Sequence, residues 1–306
     1  MNTFKHVKKL GLVLGAALLC LAANLQADDL LKKTVEISNI DRLEVAGPGL
    51  LTLSQGDTES LEIVASEKMM ERIEVDARGS TLRLRLKDGS NWGFFKIDSK
   101  IHYQLTLKSL NKISTAGSID LELATDLNLD DFKLERAGSG DSAFLNINAQ
   151  EMEVSNAGSG DFNAKIISAK NLELSTAGSG DVRVTEIRVN EKVEFDTAGS
   201  GDIDIDQLTA NELEVNMAGS GDTSIGQGSV QRQSVDIGGS GNYSAAKLKS
   251  ASAELDLSGS ADAVVWVTDE LVVDASGASD VKYYGQPKVE ADTSGASSVK
   301  SQGMKP

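Results

Sequence analysis

The pentapeptide Ala-Gly-Ser-Gly-Asp occurs at 137–141, 157–161, 177–181, 198–202 and 218–222, which puts Asp141, Asp161, Asp181, Asp202 and Asp222 at a near-constant interval. A carboxylate repeated at one interval is a candidate cation ligand. It is also what a repeated turn needs, because an Asx side chain accepts hydrogen bonds from turn N–H groups. Calcium-binding β-rolls use Gly–Asp turns as well, but with a repeat of about nine residues. Each turn here supplies one carboxylate, whereas calcium takes about six to eight oxygens. The equivalent position at 242 is Asn, which serves a turn equally well and weakens a metal site. The row therefore reads as structural, with calcium as the alternative and no other cofactor implied.

Few other residues carry chemistry. His102, in the alternating stretch "IHYQLTL", is the one histidine outside the N-terminal leader described below, and it reads as a strand residue. G-x-S-x-G, HExxH and Walker sequences are absent. Carboxylates are plentiful, but no spacing singles out a glycosidase-type pair. Three aromatics depart from the monotony as candidate ligand contacts. Trp92 lies with Phe94 and Phe95 in "DGSNWGFFK", and Trp266 and Tyr284 fall at equivalent outward positions of successive repeats and are expected to stack. They read either as sugar platforms or as plugs over a solenoid end or core edge.

What must hold these residues is set by the period. Relaxed copies extend the motif to "AGSID" (116–120) before the five, and to "GGSGN", "SGSAD", "SGASD" and "SGASS" after them, at 238, 258, 276 and 294. Such a regular short period, about 20 residues, marks a solenoid whose repeats cannot fold alone. Within a repeat, apolar residues stand five and seven positions after the first letter (Phe162/Ala164, Val182/Val184, Ile203/Ile205), with a third at Ile147, Ile167, Ile187 and Leu208. They also stand five and three positions before it (Met152/Val154, Leu172/Leu174, Val193/Phe195, Leu213/Val215). Period two means strands with one buried face. Two strands and two corners per repeat predict an all-β parallel β-helix, its coils about 4.8 Å apart and its ten copies spanning roughly 45 Å. A leucine-rich repeat lacks its asparagine consensus here, and a two-layer sandwich does not require one turn ten times.

The corner glycines are Gly138 and Gly140, Gly158 and Gly160, Gly178 and Gly180, Gly199 and Gly201, and Gly219 and Gly221. They are expected to supply positive φ and close backbone approach. Alanine or serine at the first letter is expected inside the corner, and the serines at the third are expected to form a hydroxyl ladder. The fifth-letter carboxylates, about 4.8 Å apart, repel by roughly 0.9 kcal/mol per neighbouring pair in water, which bonds to the turn's N–H groups are expected to offset. A second acidic column, Glu153, Glu173, Glu194, Glu214, Glu254 and Glu290, faces outward, beside Asp196, Asp236, Asp256, Asp274 and Asp292. It reads as a solvated face that blunts aggregation, or as an electrostatic surface for a basic partner or a cation-bridged polymer.

Residues 1–27 have the layout of a secretory signal peptide: Lys5, Lys8 and Lys9, an apolar run from Leu10 to Leu21, then small residues. The cut is expected after Ala27. A lipoprotein reading is disfavoured, because Leu18 and Leu19 precede Cys20. Removing the leader removes the only cysteine and leaves 27 basic residues against 46 acidic ones, a formal charge of −19 against −16 for the full chain. Such a chain repels nucleic acid and anionic lipid, and no apolar run after the leader is long enough to span a bilayer. Residues 28–115 lack the repeated motif but keep the alternation, as in "RIEVDARGSTLRLRLK" (72–87). They are expected to form wider, irregular coils that begin and cap the solenoid, with 116–306 as its regular part. Lys300, Lys305 and Pro306 are expected to discourage strand addition at the far edge.

A leader, then "DRLEVAGPGLLTLSQGDTESLEIVAS", then "STLRLRLK", then serial "AGSGD" corners, resembles the bacterial GIN-domain family, the autotransporter-adhesin head proteins, over essentially the whole mature chain. The resemblance implies a right-handed single-stranded β-helix shaped like pectin lyases but without their catalytic residues. It further implies adhesion at the envelope of a Gram-negative bacterium, in the periplasm, at the outer membrane or outside. It transfers no catalytic residue. No C-terminal β-barrel or aromatic-ended strand follows, so self-translocation is not expected. The reading is an exported, non-enzymatic β-solenoid for adhesion, binding or scaffolding, with an envelope or host glycan or a basic protein surface as partner and self-association open. The alternative is a polysaccharide-binding or polysaccharide-degrading β-helix enzyme.

Overall fold

The alternating stretches become strands that climb a common axis. The computed structural model describes residues 30–87 and 101–305. The leader with Cys20, the segment carrying Trp92, Phe94 and Phe95, and Pro306 lie outside the described residues.

The first elements are β1 (Leu30–Val35), β2 (Arg42–Gln55), β3 (Ser60–Ser66), a one-turn helix (Glu67–Met70), β4 (Ile73–Arg78), β5 (Thr81–Leu86), β6 (His102–Leu107) and β7 (Lys112–Leu123). Next come β8 (Leu127–Asn128) and β9 (Asp131–Gly138). From β7 onward the pairing is parallel and letter on letter: Met152 lies on Leu172, Glu153 on Glu173, Ala157 on Ala177 and Gly158 on Gly178. The same columns continue through Ala198, Ala218, Gly238, Ser258 and Ser276. The equivalent letters thus form one column, as the period requires. Interior columns hold the residues expected there, with Leu174, Val182, Phe195, Ile203 and Leu208 fully buried.

The corner packs main chain on main chain. Gly178 has φ +136°, and a Cβ on it would collide with the Gly158 carbonyl. Gly180 has no such φ, yet a Cβ there would collide with the Gly160 carbonyl. The second-letter glycines thus supply both properties expected of them, and the fourth-letter glycines only the close approach. The bonds that close the corner run from serine N–H to the glycine carbonyl one coil below: Ser159 to Gly138 and Ser179 to Gly158, each 2.9 Å. The serine side chains themselves are exposed, and among the described residues no hydroxyl–hydroxyl ladder joins them. The first-letter alanines also point outward, as at Ala137, Ala157, Ala177, Ala198 and Ala218. The inside of the corner is instead filled by the residue before each alanine, namely Thr115, Arg136, Asn156, Thr176, Thr197 and Met217.

Chain order and spatial order part company at the N-terminal end. β2 contains Ala46-Gly47-Pro48-Gly49, which lies directly on Ala116-Gly117-Ser118-Ile119 of β7. It is a further copy of the corner, with Gly47 at φ +126°. On its other side β2 pairs with β5 and β6, both parallel. After β1 the chain therefore enters the second coil with β2, builds the outer coil from β5 and β6, and returns inward to β7. Beyond that outer coil the pairing turns antiparallel: β4 with β5 across the Gly79-Ser80 turn, β3 with β6, and β1 with β3. Leu61, Ile63, Met69, Ile73 and Leu82 close the core beneath these strands. At the far end, strands Lys288–Thr293 and Ser298–Ser301 pair only with the coil below. The two shortest steps, from 258 to 276 and from 276 to 294, leave the glycine corner intact. In the first of them the register shift falls between Ala245 and Ser252, at the looser second corner.

Gly180→Ala isolates the close-approach requirement, because no positive φ is involved. It is expected to destabilise by about 2 to 3 kcal/mol through overpacking, and Gly178→Val by more, since positive φ adds about 1 to 3 kcal/mol of strain. Gly79→Ala, with no atom within 4 Å of its Cβ, is expected to lose about 1 kcal/mol or less through its φ alone. Urea unfolding of the three variants checks the ranking.

Candidate functional site

The fifth-letter aspartates form a continuous ladder. Asp120 Oδ1 accepts from the backbone N–H of Asp141, Asp141 from Asp161 and Asp161 from Asp181, each at 2.9 Å. Asp181 accepts from Asp202, Asp202 from Asp222 and Asp222 from Asn242, at 2.8 to 3.0 Å. The carboxylates are satisfied by backbone N–H groups, but those of the next coil and not of their own turn. Each bond therefore ties two coils together. Asn242 continues the row by accepting from Asp262 N–H at 3.2 Å. The bond from Asp202, followed by the guanidinium of Arg183, holds Asp181 below the ordinary carboxylate range. Arg183 lies 2.7 Å from Asp181, 3.6 Å from Asp161 and 3.9 Å from Asp204. Among the described residues, no three His, Cys, Asp or Glu side chains group as a metal site.

The glutamate column stacks Glu153 on Glu173, Glu173 on Glu194 and Glu194 on Glu214. Bases relieve most of it. Lys133 bonds Glu153 at 2.6 Å, and Lys192 bonds Glu194 and Glu214 at 2.7 Å each. Lys192's hydrogen bond pulls Glu214 below its usual range. Glu173 sits between the two lysines, and neither of them is hydrogen-bonded to it. Partial burial, then Glu153, Glu194 and Asp196, push it above its usual range.

An arginine lies inside the coil. Arg136, 6% exposed, donates to Asn156 Oδ1 at 3.1 Å, to the Asp161 carbonyl at 3.0 Å and to the Gly140 carbonyl. Burial lowers its pKa. Sequence reasoning missed this column, although the period-two alternation that places residues three and five before the alanine inside also places the preceding residue there. His102 lies on β6 with Nε2 2.8 Å from the Thr52 hydroxyl. Trp266 and Tyr284 are register partners on adjacent coils. Each ring is covered by a lysine, Lys249 at 5.9 Å from the Trp266 centroid and Lys305 at 4.0 Å from that of Tyr284. Trp92 falls outside the described residues.

These features define an acidic β-solenoid with regular faces and short corners. Residues 39–205 and 166–287 match the family model described as "Putative auto-transporter adhesin, head GIN domain", and the chain belongs to that family. Among solved structures, a protein from Parabacteroides distasonis titled a putative lipid binding protein is 21% identical, with a TM-score of 0.51 over 89% of this chain and 96% of its own. A protein from Parabacteroides merdae titled a putative adhesin is 18% identical, with a TM-score of 0.48 over 89% and 95%. The first supports the fold alone. No curated protein matches. These proteins carry adhesin and binding names rather than enzyme names. No helix among the described residues is long and apolar enough to cross a membrane.

Glu173 yields a pH test. A carboxylate whose pKa is raised on folding costs no stability below its unfolded value and costs most above the folded one. Glu173→Gln is therefore expected to raise the melting temperature at pH 7, with the difference vanishing as the pH falls below about 4.5, the ordinary value. Thermal melts across that range check it.

Proposed function

We propose that the protein is an exported, non-catalytic binding protein of the bacterial envelope, with the aspartate ladder serving as main-chain glue and not as a calcium shelf. The observation that carries this reading is the constancy of the coil. Corner follows corner at nearly even spacing from 116 to 298, leaving no room for side loops. Solenoid enzymes place their chemistry among loops inserted on one face, whereas constant coils offer rows of identical side chains. Such rows suit many weak, repeated contacts, the multivalent mode of an adhesive surface. Membership in the adhesin head family supports the same reading.

The experiment uses the chain from residue 28 onward, labelled and applied to a glycan array and to bacterial and host cells. Saturable binding that unlabelled protein displaces is expected. Chain shortening of an arrayed polysaccharide would move the protein to the enzyme alternative, and absence of binding to any glycan or cell would remove the adhesive reading.

A further inference from the structure

The acidic body carries a basic cleft at the join between the N-terminal cap and the first coils. Four positions before the first letter of the corner motif, later coils hold Glu153, Glu173, Glu194 and Glu214, but the three coils next to the outer one hold Arg42, Lys112 and Lys133. Strand pairing sets these three side by side, Arg42 against Lys112 and Lys112 against Lys133. They form a line of cations about 4.8 Å apart. Arg83 and Arg85 flank it, paired in register with Glu44 and Ala46.

The cleft they line encloses about 890 Å³. Its floor is low at Ala46 and Ala116, and Thr81, Asn111 and Ser114 add neutral hydrogen-bonding groups. Two carboxylates line it with the five cations. Glu44 holds Arg83 at 2.7 Å, and Glu135 is shared by Lys112 at 2.8 Å and Lys133 at 3.4 Å. From outside the cleft, Glu74 reaches Arg85 at 3.1 Å and Glu153 reaches Lys133 at 2.6 Å. The side chains of Arg42, Arg83, Lys112 and Lys133 are 61%, 38%, 37% and 38% exposed. Exposed pairs of this kind are worth only about 0 to 1 kcal/mol, so a ligand carboxylate can replace an internal one at little cost. Among the described residues no aromatic side chain lines the cleft, which leaves nothing there on which nucleic acid bases could stack.

We propose that this cleft binds a segment of linear acidic polysaccharide. Its carboxylates or sulfates lie along the Arg42–Lys112–Lys133 row, and its hydroxyls meet Thr81, Asn111 and Ser114. The site rests on the binding function proposed above and gives it a ligand class. It also gives the molecule a polarity: the cleft end attracts polyanions, and the rest of the rod repels them.

The test measures binding of oligogalacturonate and dextran sulfate to the chain from residue 28 by calorimetry, with neutral dextran as control. Lys112→Glu combined with Lys133→Glu installs the residue that later coils carry at this position. It is expected to weaken binding at least tenfold and, having lost the bases beside Glu135 and Glu153, to melt below the wild type while still folded at the assay temperature, and Glu135→Gln is expected to tighten binding. If the double variant is unfolded at that temperature, Arg42→Gln provides the same comparison at a more exposed site. Wild-type binding is expected to weaken as salt rises. Unchanged affinity in the variants, or equal competition by anionic phospholipid vesicles or single-stranded DNA, overturns the proposal. Binding to cells or neutral glycans without uptake of oligogalacturonate defeats the cleft alone, whereas no binding to any of them defeats the adhesive reading as well.

Discussion

At each glycine corner, main chain rests directly on main chain. A parallel ladder fixes the rise between coils at about 4.8 Å, and at that spacing the corner has no volume for a Cβ beside the carbonyl below. Serine N–H groups bond the glycine carbonyls one coil down, and aspartate carboxylates bond the N–H of the coil above. Both sets of bonds run along the axis, so the corner forms only when its neighbours are already stacked. The repeat is thus cooperative by construction, in the manner of other solenoids. Its cross-section is held constant at the second letter, which is glycine in every copy, because a side chain there would wedge the corner open.

A constant cross-section brings like residues over like, and charge is where that becomes costly. The aspartates escape the cost by accepting inter-coil hydrogen bonds. The glutamate column escapes part of it through Lys133 and Lys192, with Glu173 left over between them. The same stacking logic, with the sign reversed in the three coils next to the outer one, produces the line of Arg42, Lys112 and Lys133. One architectural rule therefore accounts for an acidic rod and for its basic end.

The pentapeptide period, the inward rows and the outward acidic column are legible in the sequence, because each is local and repeats at fixed spacing. What escapes such a reading is either interior polarity or non-local pairing. Arg136, Asn156 and Thr176 look like surface residues by type. They are inside because the alternation extends through them, and carbonyls at the corner satisfy the Arg136 and Asn156 side chains. The Ala-Gly-Pro-Gly of β2 does not announce itself as a copy of the corner, because its partner on β7 follows only after an excursion that builds the outer coil and the antiparallel cap. The basic cleft is hidden for the same reason, since Arg42 and Arg83 meet Lys112 only through that detour. The outward alanines are misplaced by one residue, and in a period-two strand a shift of one residue exchanges inside for outside.

The most direct measurement is of distance along the column. In the chain from residue 28, which has no cysteine of its own, Ser139→Cys can be spin-labelled together with Ser220→Cys or with Ser260→Cys. Four coil steps separate the first pair and six the second. Stacked corners predict single, narrow distributions centred near 19 Å and 29 Å, from about 4.8 Å per step. Broad distributions, or distances that do not grow with the number of steps, would contradict the stacked corner and everything derived from it.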